Sequence, residues 1–271
     1  MGTALVLSGI FHLTWLWVTG APWEGPLSPR KPGLFGVSAG VTVWSIAWVL
    51  TKLNAWRCDR GLVSLFAASL FVEVALITLQ YWRGVASHFN RATPLDAMIE
   101  SVMFVLIMFA TLYIASLCWR SNCLPSMDPS LKLAIRAGLW LLLISCGLGF
   151  VATVAGEINV ARGAPPEVWG HAGILKYPHG AALHAIQVLP LLAWFLQQLR
   201  SRRAVWLLWV AVGSQVLFLV HALWQTASGR SRFDLDAVGL LTLVASGGLL
   251  VLLIAGISRS TVLIVRPQRP Y

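Results

Sequence analysis

The chain has 271 residues, 58% of them hydrophobic and only 11% charged, with a net charge of +10. Soluble domains carry about 25% charged residues, so a water-soluble globular protein is excluded. The basic residues come as short groups between apolar runs, which is the pattern of membrane topology and not of a nucleic-acid-binding surface.

A bilayer core about 30 Å thick takes about 20 apolar residues per helix. Several runs approach that length, and they exclude a transmembrane β-barrel, whose strands alternate over about 10 residues. The first run spans 3–19. It has no basic region ahead of it and reads as an uncleaved helix, although the small residues Gly20 and Ala21 after it also suit a signal-peptide site. A Pro/Gly-rich connection, 21–33, leads to the second run, 34–51, and the third, 62–82. The fourth, 95–118, opens on Thr93-Pro94-Leu95-Asp96, a Thr N-cap with Pro at the first helical position and a carboxylate two residues on. Asp128-Pro129 starts the fifth in the same way, and it runs to 155. A polar connection, 156–179, carries Pro165-Pro166. The sixth run, 180–199, is joined to the seventh, 204–226, by the basic turn Arg200-Ser201-Arg202-Arg203. The eighth spans 235–257, and a basic tail follows.

The expected fold is therefore all-α: a polytopic bundle of about eight transmembrane helices, read as a single domain over 1–271. Twelve of the 20 Lys and Arg fall in loops on one side. The positive-inside rule puts that side, with both termini, in the cytoplasm of a cell with a bacterial-type inner membrane. This count defines "inner" and "outer" below. The four cysteines, Cys58, Cys118, Cys123 and Cys146, form no C-x-x-C pair, so neither a disulfide framework nor a zinc knuckle is expected.

The most polar passage is Gln80–Glu100, QYWRGVASHFNRATPLDAMIE, the outer hairpin between the third and fourth runs. All six histidines, His12, His88, His171, His179, His184 and His221, fall in the outer half or on the outer face. His184 and His221 sit about one turn inside the outer ends of two runs joined by the tight inner turn, so they belong at similar depth. Gln187 follows His184 by three residues and Gln225 follows His221 by four, which puts each Gln on its histidine's face. Glu73, Gln80 and Arg83 form one stripe on the third run. The inner half shows no comparable set, and Gln197 and Gln198 read as interfacial. An ionisable group at mid-membrane costs about 2.5–3.5 kcal/mol on insertion scales, so Glu73 must face the bundle, protonated or paired.

Plainer roles exist for each group. Asp96 suits a helix cap. Polar side chains act as glue between membrane helices, which covers His12, His184 and His221. The tryptophans suit interfacial belts, with Trp17, Trp82, Trp169 and Trp224 outside and Trp56, Trp119, Trp206 and Trp209 inside.

What remains is an expected outer-half site. Arg83, His88, Asn90, Glu73 and Glu100 are its candidate catalytic groups. His184, His221, Gln187 and Gln225 are the candidate cofactor-binding groups. His184 and His221 could ligate haem or a transition metal through neutral imidazole nitrogen, with a Gln or Glu73 on the second ring nitrogen. The first functional reading is a membrane-embedded enzyme or redox protein. A transporter or channel for a small or anionic solute, and a membrane assembly subunit, remain open beside it. The expected partners are the lipid bilayer and a small or lipid-like ligand from the outer side, with no nucleic acid. The outer hairpin is expected to close over His184 and His221.

Overall fold

A computed structural model describes the backbone of residues 1–265 and the side chains of residues 1–258. Three of the twelve inner-side cations, Arg259, Arg266 and Arg269, have side chains outside the described residues. Eight helical stretches among the described residues are long and apolar enough to cross a membrane. The chain is an all-α polytopic membrane protein, and its surroundings are a lipid bilayer.

The helices fall into two compact units, 1–125 and 126–271. The first holds α1 (Gly2–Thr19), α2 (Arg30–Leu50), α3 (Asp59–Trp82) and α4 (Pro94–Ser121). Each packs chiefly on its neighbour in sequence, as short connections between antiparallel helices require. The second holds α5 (Pro129–Ala161), the short strands β1 (Val168–Trp169) and β2 (Gly173–Ile174), α6 (Lys176–Leu183), α7 (Ala185–Gln198), α8 (Ala204–Ala227) and α9 (Ala237–Val265). There α5 packs against α6 and α7, and α8 packs against α6 and α9.

The capped starts are where the sequence puts them. Asp96 N–H donates to Thr93 Oγ1 at 3.2 Å, and Asp128 Oδ1 accepts from Ser130 N–H at 2.8 Å and Leu131 N–H at 3.2 Å. Several boundaries differ. Helix α2 begins four residues before the apolar run, because Arg30 and Lys31 occupy its first turn. Helix α5 runs on to Ala161. The polar connection after it is not featureless, since β1 and β2 pair antiparallel, Val168 opposite Ile174. That hairpin is seated on the α8–α9 turn: Ala172 N–H donates to Gly229 carbonyl at 2.9 Å, and Thr226 Oγ1 donates to Ile174 carbonyl at 3.0 Å.

The sixth span is interrupted at His184 and not at Pro190, which lies inside α7. Gln215 of α8 donates its Nε2–H to the Ala181 carbonyl, the group that an unbroken helix would offer to Ala185 N–H. A neighbour's side chain thus takes the acceptor freed at the break.

Lipid tails give apolar side chains no reason to prefer protein over bilayer, so close backbone approach holds membrane helices together. Helices α1 and α2 do this with glycines. A methyl group on Gly36 would lie 2.8 Å from Gly9 Cα, and one on Gly9 only 2.5 Å from Val37 N and 2.6 Å from Gly33 O. We expect Gly9→Val to force the pair apart at a cost of about 1–3 kcal/mol, read as a lower unfolding midpoint of the purified protein. Gly61→Ala on α3, where nothing stands within 4 Å, is expected to hold or raise the midpoint.

Candidate functional site

The outer end of the first unit gathers Gln80, Arg83, Thr93 and Asp96. Asp96 is 2% exposed and Gln80 1%. Asp96 Oδ1 accepts from Gln80 Nε2 at 2.9 Å and from Arg83 Nη1 at 2.8 Å, while Oδ2 accepts from Thr93 Oγ1 at 2.6 Å. Arg83 Nη1 also donates to Gln80 Oε1. Spacing on α3 brings Gln80 and Arg83 to one face, and the cap at Thr93 delivers the Asp96 carboxylate to them. Asp96 is therefore more than a cap, since it is the acceptor on which the cluster converges. A carboxylate with this many donors is held rigid.

The other candidates in this hairpin fix the shape of the loop. Phe89 has φ +56°, a left-handed conformation that a bulky side chain rarely adopts. Glu100 holds it there: Oε1 accepts from Phe89 N–H at 2.7 Å, and Oε2 from Arg91 Nε at 3.0 Å. Asn90 bridges the turn, donating to Ala86 carbonyl at 3.1 Å and accepting from Ala92 N–H at 3.2 Å. His88 is half-buried, with Nδ1 3.1 Å from Ser87 Oγ and its ring 6.0 Å from Phe35. Burial, and secondarily the charge of Lys31, hold its imidazole far below the ordinary value, at about 3. His12 in α1 is buried too. Its Nδ1 lies 2.8 Å from Ser8 carbonyl and its Nε2 accepts from Trp82 Nε1 at 3.3 Å, so Trp82 is more than a belt residue.

Below the outer cluster on the same buried face of α3 stands Glu73, 7% exposed. Among the described residues it has no hydrogen-bond or ion-pair partner.

The inner half of this unit is not free of polar groups, contrary to expectation. Asp59 and Arg120 are each 7% exposed and form a two-pronged ion pair, Nη1 to Oδ1 at 2.7 Å and Nη2 to Oδ2 at 2.9 Å. Arg120 also donates to Asn54 carbonyl at 2.7 Å and stacks 4.1 Å from the Trp56 ring centre. Tyr113 of α4 is 4% exposed, and its hydroxyl has no hydrogen-bond partner. The count of Lys and Arg includes Arg120 among the inner-side loop cations, and neither Asp59 nor Tyr113 stands out in the sequence. One signal was available: Asp59 and Arg120 stand at the inner ends of adjacent antiparallel runs.

In the second unit, His221 is 1% exposed. Its Nδ1–H donates to Gly239 carbonyl at 3.0 Å, and Tyr177 and Phe218 ring it at 6.3 and 6.2 Å. Gln225, on the same face, is fully buried. It donates to the carbonyls of Ser231 and Asp234, both at 2.9 Å, and so shapes the α8–α9 turn. Gly239 N–H, with Trp224, holds the Asp236 carboxyl below the usual range at the start of α9. His184 is exposed at the α6–α7 break, with Gln187 half-buried one turn on. No hydrogen bond or ring contact joins His184 to His221 among the described residues. His179 instead turns to α5, its Nδ1–H donating to Ser145 carbonyl at 2.8 Å. His171 is exposed in the β1–β2 turn. Among the described residues no three His, Cys, Asp or Glu side chains gather to hold a metal ion. Gln80–Glu100 lies in the first unit, and His184 and His221 lie in the second.

No family model matches this chain, and neither a curated protein nor a solved structure matches it.

His88 gives a pH dependence of definite sign. Folding keeps its imidazole neutral, whereas the unfolded chain takes up a proton below pH about 6.5. The stability it contributes is complete above that pH and is lost as pH falls toward 3. We expect wild-type protein to lose thermal stability between pH 7 and 5, and His88→Gln to flatten that loss.

Proposed function

We propose that the chain is a membrane protein of the transporter or channel class whose working group is Glu73, a carboxyl that takes up a proton from the outer side. The observation that carries this reading is the burial of Glu73 without a partner. Hydrophobic burial penalises a carboxylate strongly and a neutral carboxylic acid far less. A lone buried carboxyl at mid-membrane therefore rests protonated and gives up its proton only when its surroundings change, which is the behaviour of proton sites in transport proteins. The Gln80–Arg83–Asp96 cluster stands two turns outward on the same helix and supplies the polar approach to it. His88, Asn90 and Glu100 serve this approach by shaping the loop above.

The readout is the infrared C=O band of a protonated carboxylic acid in the full chain reconstituted in vesicles. The band is expected to be present at pH 6, to diminish when the outside medium is made alkaline, and to be missing in Glu73→Gln. A band that ignores the outer pH, or that survives in Glu73→Gln, would remove the reading.

A second reading has one observation in its favour. Donation of Nδ1–H from His221 to the Gly239 carbonyl leaves Nε2 with its lone pair, the tautomer that ligates haem or a transition metal. In that reading His221, with His184, holds the group, and Gln187 and Gln225 support the pair. The chain would then be a redox protein or enzyme. Protein purified with haem supplied is expected to show a Soret band that His221→Ala abolishes. Colourless, metal-free protein after such loading overturns it.

A further inference from the structure

We infer that the cleft between the start of α2 and the outer end of α3 is a binding site for one phosphate group, with Lys31 as its cation. The site stands whether or not Glu73 exchanges a proton.

Two local turns build its walls. Ser28 folds the connection ahead of α2. Its Oγ donates to Trp23 carbonyl at 3.0 Å and accepts from Arg30 N–H at 3.2 Å, and its carbonyl accepts from Lys31 N–H at 3.1 Å. That turn sets Lys31 and Pro32 in the first turn of α2. Across from them α3 ends in a turn at Gly84, φ +71°, a conformation that glycine adopts without strain. Val85 N–H donates back to Gln80 carbonyl at 3.1 Å. The returning chain brings Val85 and Ser87 to the same cleft as Ile77 and Tyr81 of α3. The cleft holds about 160 Å³ of space, its open mouth included.

The lining has one cation and three hydroxyls, on Lys31, Ser28, Tyr81 and Ser87, and no acid. The start of a 21-residue helix adds partial positive charge. The Ser28 hydroxyl is spent on its own turn. The Tyr81 ring is packed edge-on against His12 and Trp82, 6.0 and 5.1 Å between centroids, and its hydroxyl has no hydrogen-bond partner among the described residues. Ser87 is 4% exposed, with Oγ 3.1 Å from His88 Nδ1. With Nδ1 protonated, His88 donates to Ser87, and the Ser87 O–H is left for an oxygen in the cleft. Prolines, Ile77 and Val85 complete the walls and are stiff and apolar, which strengthens the pull of a charge beside them.

These donors select an oxyanion. They come from three separate segments: Lys31 from α2, Tyr81 from α3 and Ser87 from the returning loop. A tetrahedral phosphate offers oxygens in three directions, whereas a carboxylate offers two in one plane. A lysine ammonium and a helix start are also groups that bind phosphate well. The cleft is narrow, and Lys31 is its flexible wall, with a four-carbon stem that lets the ammonium swing over a group at the mouth. The phosphate has two sources on the outer side, a phospholipid headgroup or a soluble phosphate.

The test is the unfolding midpoint of the full chain in detergent. Inorganic phosphate or a short-chain phosphatidylglycerol is titrated at constant ionic strength, with chloride as reference. A ligand that binds the folded chain raises the midpoint. A rise with both identifies the bare phosphate group, a rise with the lipid alone assigns the site to a headgroup, and a rise with inorganic phosphate alone assigns it to a soluble phosphate. Lys31→Gln is expected to need at least about tenfold more ligand for the same rise, and Tyr81→Phe about threefold more. Lys31→Arg, which keeps the charge, is expected to bind, and Lys52→Gln, whose cation lies over the Trp48 ring at the inner side, is expected to match wild type. No rise beyond chloride with either ligand overturns the site, as does a wild-type titration in Lys31→Gln. Equal weakening in Lys31→Gln and Lys52→Gln overturns it too, since net charge alone then explains the effect. Should Lys31→Gln fail to fold, a wild-type titration in Tyr81→Phe overturns the site.

Discussion

The Asp59–Arg120 ion pair sets the register of α3 against α4, and much of the first unit depends on that register. Two charges out of water are costly, and their mutual attraction offsets the cost only when geometry and further hydrogen bonds are good. Here both prongs are near 2.8 Å, and the remaining donor capacity of Arg120 goes to a backbone carbonyl and an aromatic face. Removing either partner would leave a buried charge alone, which costs about 3–5 kcal/mol. At the other end, Gln80 and Arg83 on α3 grip Asp96 on α4. With both ends of the pair fixed, α3 cannot slide or turn on α4, and the depth of every side chain between them is set. Phe66 meets Tyr113, the Ile77–Ile99–Met103 cluster closes the outer half, and Glu73 is left between polar ends with nothing to bond.

The spans were legible because bilayer thickness acts on apolar length, and apolar length is a local property of sequence. The caps at Thr93 and Asp128 were legible for a similar reason, since the bonds they make reach only two or three residues. Asp59–Arg120 was not, because 61 residues separate the partners. A charge near the end of an apolar run also reads first as a loop charge. The interruption at His184 was hidden because the side chain that takes its freed acceptor, Gln215, lies on another helix. Pro190 carried the local signal for a break and did not produce one. The β1–β2 hairpin was hidden for the same kind of reason, as its seat is the α8–α9 turn.

The histidines show how a shared depth differs from a shared site. The order of the runs in the sequence puts all six in the outer half or on the outer face. Yet each described contact leads elsewhere: His12 to Ser8 and Trp82, His88 to Ser87, His179 to Ser145 and His221 to Gly239. A ring nitrogen that donates to a backbone carbonyl satisfies an acceptor that hydrocarbon would leave bare. Much of the histidine pattern therefore records the needs of helix packing in lipid. In His179 and His221 that bond also leaves the second nitrogen with its lone pair.

Glu73 cannot be explained in that way. Asp59, Asp96 and Glu100 are also acids in or beside the membrane spans, and each stabilises something nameable: an arginine, a cap or a strained turn. For a group whose buried neighbours give it no bond, stability favours an apolar side chain of the same size. A carboxyl kept at such a place is a net cost to the fold. The same absence of partners leaves its proton free to be exchanged, since no cation fixes it as carboxylate and no carbonyl fixes it as acid. The feature that makes Glu73 a poor structural residue is the one that a proton site requires, and the rigid frame of α3 and α4 keeps it in that state.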